Sequence, residues 1–228
     1  MTAPQPLLQR LSQIPGLESG QRRLVLLLSQ LGDFDSMEYA QALVPVLPRL
    51  EAAGISTCAI AIGDAAGAER FCAYTGFPRR VLQVQADAAL HQALGLYGGL
   101  QTPGGPWPGL LLMCAGIGSP GTLQEVLRGY TGDRTAPQRL NLSLFRAAGG
   151  EGFQRPFELA TVRLQNMVEV LGNWRTYVPR DDFITQRGGT FLLEADDTLL
   201  YSHRDRGILG FSATMNQPLD FLEPFLGD

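Results

Sequence analysis

Leu24-Val25-Leu26-Leu27-Leu28, then Gln30-Leu31-Gly32-Asp33-Phe34-Asp35-Ser36, then Cys58-Ala59-Ile60-Ala61-Ile62 and Gly63 are the residues on which the fold turns. The first run is short, apolar and uninterrupted, as a parallel strand buried on both faces requires. The loop after it ends in Asp35, with Glu38 three residues on. That spacing resembles a capping box and predicts a helix start. Leu43, Val44, Leu47 and Leu50 carry the helix at helical spacing until Gly54. Pro45 and Pro48 lie inside it, and an interior proline costs about 3 kcal/mol and bends the axis. Residues 58–62 then form a second buried strand. The segment reads strand, tight loop, kinked helix, strand.

Working outward, Asp64 opens a short helix from Ala65 to Thr75, closed by Gly76-Phe77-Pro78. Val81-Leu82-Gln83-Val84 is a strand, and Asp87 opens another short helix through Leu96. Leu110-Leu111-Leu112-Met113-Cys114 reads as a further strand. Near the end, residues 187–193 and 198–204 flank the turn Glu194-Ala195-Asp196-Asp197 and predict a hairpin, followed by a last helix within Pro218 to Leu226. Between them, Pro120 to Arg128 is a short helix with proline early, where a missing N–H does no harm. Pro156 to Leu171 is a longer one, with Gly172 as C-cap candidate. Its apolar stripe is Phe157, Ala160, Leu164, Met167 and Leu171.

This order resembles the thioredoxin-fold superfamily, and within it the peroxiredoxin-like AhpC/TSA antioxidant-domain proteins. The resemblance covers roughly residues 22–114 and 186–228 and is most specific at the hairpin Gly188-Gly189-Thr190-Phe191. It implies an α/β three-layer sandwich, one domain over residues 1–228, with a helical insertion at about 115–186. It also implies a cysteine at the loop-to-helix junction, where the helix N-terminus would stabilise a thiolate. Asp33, Phe34, Asp35 and Ser36 stand there instead, with Asp33 and Ser36 at the places of a cysteine pair. The proline and threonine that precede a peroxidatic cysteine are missing too. The expectation is a protein that keeps the fold without its thiol and acts as a binding, scaffold or assembly factor. The alternative is a thiol-dependent, peroxide-reducing enzyme with a relocated cysteine.

The relocated thiol would be Cys72, provided that it, rather than its neighbour Phe71, faces solvent; a semi-buried, inert residue is the plain reading. Cys58 and Cys114, placed within and at the end of strands, read as core. Three cysteines without a CxxC pair make no secreted disulfide framework. His91, on the polar side of its helix, reads as exposed, and His203 ends a strand. Two isolated histidines do not make a metal site. Asp33, Asp35 and Glu38 serve a helix N-terminus by ordinary capping and dipole effects, or form an acidic docking surface.

Gly116, Gly118 and Gly121 match G-x-G-x-x-G after the expected strand, so a nucleotide phosphate is conceivable on the next helix. Pro120 removes a donor there, and a glycine-rich turn is the simpler account. No cofactor is expected. Trp174, Tyr177 and Phe183 either pack on the core or offer the insertion's surface to a protein partner. The 228 residues carry a formal charge of −4, are 45% hydrophobic and contain no basic run, which argues against nucleic-acid binding. The first residues lack the build of a signal peptide, and no apolar run approaches the roughly 20 residues that span a bilayer. The expected setting is soluble, cytoplasmic or organelle-stromal, with peripheral membrane attachment open.

Overall fold

Strand β1 (Arg22–Gln30) runs through the middle of the molecule, buried from Arg23 onward. Its alternation explains the layering. Leu24, Leu26 and Leu28 point into one apolar core with Met37, Tyr39, Leu43, Leu50, Phe71 and Leu192. Val25 and Leu27 point into a second, with Leu7, Leu11, Ile60, Phe191 and Leu193. A strand apolar on both faces must lie between two helical layers.

The computed structural model describes residues 1–136, 138–140, 142–150 and 152–226. In chain order, helix α1 (Gln5–Leu11) precedes β1. Helices α2 (Phe34–Leu43) and α3 (Leu47–Ala52) follow, then β2 (Ile55–Ile62), α4 (Ala65–Thr75), β3 (Leu82–Gln85) and α5 (Ala89–Ala93). Five helices come next: α6 (Pro106–Cys114), α7 (Thr122–Thr131), α8 (Ser143–Gly149), α9 (Glu158–Gly172) and α10 (Trp174–Tyr177). The hairpin β4 (Gly189–Leu193) and β5 (Leu199–Arg204) and a terminal α11 (Glu223–Leu226) complete the fold. The sheet order is β3-β2-β1-β4-β5. Strand β1 is parallel to β2, with Val25 opposite Cys58, and antiparallel to β4, with Val25 opposite Phe191. This is the expected α/β, thioredoxin-like architecture with helical additions.

The two prolines break the first long helix between Leu43 and Leu47, giving α2 and α3. Asp64 caps α4 by accepting from the Gly67 N–H. The hairpin turn is pinned from β1: Arg22 pairs with Glu194 at 2.9 Å and the buried Arg23 with Asp197. Asp197 holds φ 67°, a left-handed conformation that aspartate tolerates better than most residues.

Four expectations change. The run Leu110–Cys114 is the end of helix α6, not a strand. Pro106 and Pro108 sit in its first turn, where neither needs an N–H, and Gly109 and Met113 are buried one turn apart. A five-residue apolar run fits either period. The cap of α2 is Asp33, whose carboxylate accepts from the Ser36 N–H at 3.1 Å; Asp35 lies inside the first turn. The buried face of α9 is Leu159, Val162, Asn166 and Val170, so Phe157, Leu164, Met167 and Leu171 of the expected stripe point outward.

His91 is fully buried rather than exposed. Its Nε2 lies 2.8 Å from the Leu28 carbonyl and its Nδ1 3.1 Å from Gln85 Nε2. Burial pulls its pKa down to about 4. The unfolded imidazole titrates near 6.5, so the unfolded chain binds the extra proton between those values. His91 therefore costs roughly 2–3 kcal/mol of stability as pH falls from about 6.5 to 4. NMR titration should show the His91 ring still neutral at pH 5.5; a midpoint near 6.5 would remove this effect.

Candidate functional site

The loop from β1 into α2 is built by close approach. A Cβ on Gly32 would fall 2.4 Å from the Val178 side chain, so glycine is needed there. Asp33 follows and uses both carboxylate oxygens. Oδ2 accepts from the Ser36 N–H and Ser36 Oγ, each at 3.1 Å, and Oδ1 accepts from the Arg187 guanidinium at 3.1 Å. Ser36 Oγ in turn accepts from the Ser29 N–H. Arg187 is 1% exposed. Its Nε donates to the Thr185 carbonyl at 3.2 Å, and another donor reaches the Ile184 carbonyl at 3.4 Å.

Two further carboxylates share this guanidinium's field. Asp35 Oδ2 accepts from the Gly210 N–H at 2.8 Å, while its Oδ1 is buried with no hydrogen-bond partner among the described residues. Asp205 Oδ1 lies 3.3 Å from His203 Nε2. That nitrogen is directed at the Gly210 carbonyl, 3.1 Å away, and Asp205 Oδ1 has no hydrogen-bond partner among the described residues. Three carboxylates around one cation cannot all ionise cheaply in a buried place. Burial and the charges of Asp33, Asp205 and Glu38 push Asp35 well above the usual carboxylate range. Burial pushes Asp205 up to about 8, with Arg187 opposing and Asp33 adding. Burial alone would lower Arg187, but the carboxylates outweigh it and hold it charged. The segment after β5 closes over the cluster: Phe211 stacks on Tyr39 at 4.4 Å, and the Ile208 N–H donates to Ser119 Oγ at 2.8 Å.

The acidic group at the helix start is therefore not a surface. Asp35 and Glu38 are buried, and Glu38 binds Arg163 at 2.8 Å. Sequence reading found Asp33, Asp35 and Ser36 but missed Arg187 and Asp205, which lie more than a hundred residues away.

None of the cysteines occupies this site. Cys72 is buried beside the fully buried Phe71, so the exposure required of a relocated thiol is not met. Burial raises its pKa, as it does for Cys58, pushed up to about 12. Cys114 is the exposed one, contrary to its expected place in the core. It ends α6 within the field of Arg187 and Asp33. Partial burial still raises it, with Arg187 pulling down and Asp33 pushing up. A reactive thiol needs a lowered pKa.

Gly116, Gly118 and Gly121 follow a helix, not a strand, and all have positive φ (86°, 65° and 82°). The Gly116 and Ile117 N–H groups cap α6 on the Met113 and Leu112 carbonyls. The context a dinucleotide turn requires is absent. Among the described residues, no group of three or more His, Cys, Asp or Glu is disposed to hold a metal ion, and no helix is long and apolar enough to cross a membrane. Tyr177 is fully buried, its hydroxyl on Glu169 at 2.8 Å. Trp174 packs against Trp107 at 5.3 Å, and Phe183 lies under Arg180 at 5.2 Å. Trp174 and Phe183 are half-buried.

Fold and loop together define a thioredoxin-like α/β protein of the peroxiredoxin-like kind. Residues 42–207 match the AhpC/TSA antioxidant enzyme family, well over half of the chain, and the protein belongs to that family. Searches of curated proteins and of solved structures gave no match.

Proposed function

We propose that this member of the family is redox-degenerate: a single thioredoxin-like domain, with residues 115–186 as an insertion, that works by binding other molecules rather than by thiol chemistry. The observation that carries this reading is the start of α2. The N-terminus that could stabilise a thiolate is capped by Asp33, and the buried Arg187 is bound to that same carboxylate. All three thiols are raised rather than lowered. A protein partner would meet the insertion; of the aromatics there, Trp174 and Phe183 retain some exposure, whereas Tyr177 does not.

A second reading has one observation in its favour: Cys114 is exposed and feels Arg187. In that case its thiolate would take one peroxide oxygen, the other would leave as water or an alcohol, and a dithiol would return the sulfenic acid to thiol with loss of water. Peroxide consumption with a dithiol reductant separates the two. We expect turnover no higher than that of a variant lacking all three cysteines. Turnover lost in Cys114→Ala but kept in Cys72→Ala would establish the enzyme reading.

A further inference from the structure

Strand β3 is shorter than the strand it borders. Its pairing with β2 begins at Ala59 opposite Leu82 and ends at Ile62 opposite Gln85, while β1 accompanies β2 from Ile55 onward. Just past β2, the Gly63 N–H donates to the Gln85 carbonyl, and the Ile62 carbonyl accepts from the Leu31 N–H. In a parallel sheet, successive residues turn their backbone groups to opposite neighbours. The odd-numbered residues of β2 thus face the β3 side. Ile55 and Thr57 turn their N–H and C=O groups to a place where no strand lies. The Val81 N–H, which would meet Thr57 if the ladder continued, folds back on the Pro78 carbonyl at 3.0 Å.

That place is a hollow of about 600 Å³, a volume usual for binding pockets. Its walls stand on opposite faces of the sheet. Ile14 and Leu17 belong to the core under one face, and Val44 and Leu47 pack on the core of the other. A segment lying in the plane of the sheet, its side chains pointing alternately up and down, meets both walls. The two ends differ in charge. Arg80 stands in the single turn Arg79–Val81 that precedes β3, and Glu51 in the last turn of α3, just before β2. Both border the hollow and are exposed, and neither has a hydrogen bond or ion pair among the described residues. Arg79, by contrast, is bound to Glu69 at 2.8 Å.

We propose that this hollow takes the C-terminal end of another polypeptide as an added strand, parallel to β2 and in line with β3. At about 3.3 Å per residue, the uncovered edge from Ile55 to Cys58 accommodates about four residues. Running parallel, the peptide reaches the start of β3 with its last residue. Its terminal carboxylate then meets Arg80, whose planar fork suits a carboxylate. An antiparallel segment would bring its amino end there instead, against a like charge. Main-chain bonds to Ile55 and Thr57 supply affinity, and the two apolar walls select apolar side chains. A fatty acid would satisfy Arg80 and the walls but leave the Ile55 and Thr57 backbone groups unpaired. The site lies outside the insertion and uses no thiol, so it goes beyond the partner surface proposed above.

Fluorescence anisotropy with a fluorescein-labelled peptide ending in leucine-valine-leucine-valine, its carboxylate free, should show saturable binding with a Kd of about 100 μM. Amidating that carboxylate should weaken binding about tenfold, and so should Arg80→Ala, an exposed site whose loss should leave circular dichroism unchanged. The two changes together should cost little more than either alone, because they remove one contact. N-methylation of alternate peptide groups, which deletes the ladder donors without touching the protein, should also weaken binding about tenfold. No saturation by about 1 mM, or binding indifferent to Arg80→Ala, would overturn the proposal. So would an N-methylated peptide that binds unchanged and is displaced by dodecanoate, which would mark a site for apolar anions. Failure of the redox-degenerate reading would show instead as cysteine-dependent peroxide turnover, which peptide binding does not measure.

Discussion

Arg187→Met should lower stability by about 3–5 kcal/mol, the cost of removing one partner from a buried charge group, against a total of roughly 5–15 kcal/mol for a domain. Among the described residues the guanidinium is the only cation hydrogen-bonded to Asp33, and it also offsets the charges of Asp35 and Asp205. Without it, the Asp33 carboxylate loses its partner beside two carboxyls that already resist ionisation. The thioether also leaves the Thr185 and Ile184 carbonyls without the donors they now have. Asp33→Asn combined with Arg187→Met should recover part of the loss, because the amide can still accept from Ser36 while the uncompensated charge disappears. Urea unfolding of wild type, single and double variants measures this. A cost below about 1 kcal/mol for Arg187→Met would mean that the cluster contributes little to stability.

Asp205→Asn should reshape the pH dependence of stability. The folded carboxyl titrates at about 8 and the unfolded one near 3.8. Below pH 4 both states are protonated. Between 4 and 8 the folded state holds a proton that the unfolded chain gives up, so stability falls as pH rises, and the loss is complete above 8. Asparagine, which cannot ionise, is spared it. The stability difference between variant and wild type should therefore grow by roughly 4 kcal/mol from pH 5 to pH 9, of which about 1 kcal/mol falls between pH 7 and 9. Comparison at each pH cancels His91, whose slope has the opposite sign and lies below about pH 6.5. Parallel profiles would show that Asp205 is already ionised in the native protein.

The central strands and first helices were readable because each carries a local signal. Runs 24–28 and 58–62 are apolar on both faces, Asp64 caps its helix, and Pro45 and Pro48 mark the break. The hairpin announced itself by β-type runs around an acidic turn. Leu110–Cys114 was too short for its period to be read. In α9 the buried face was hidden by Asn166, a polar residue that is fully buried because Gln41 and Tyr74 satisfy its amide. The cleaner apolar stripe in the sequence is the outward one. The loop at Asp33 was legible as a place and its missing thiol as a fact. Its partners Arg187 and Asp205 were not, because a charge cluster assembled across the fold leaves no spacing in the sequence.

The same cluster sets an order of events during synthesis. Asp33, Asp35 and β1 leave the ribosome before β4, the other sheet neighbour of β1, and before residue 187, the cation bound to Asp33. Until about residue 211 has emerged, Gly210 cannot cap Asp35 and Phe211 cannot stack on Tyr39. A nascent chain stalled before Arg187 would hold an open sheet edge beside uncompensated acids, the kind of intermediate that chaperones receive. The acids of the β1–α2 loop and the groups that satisfy them are therefore joined only once residues 187–211 are present.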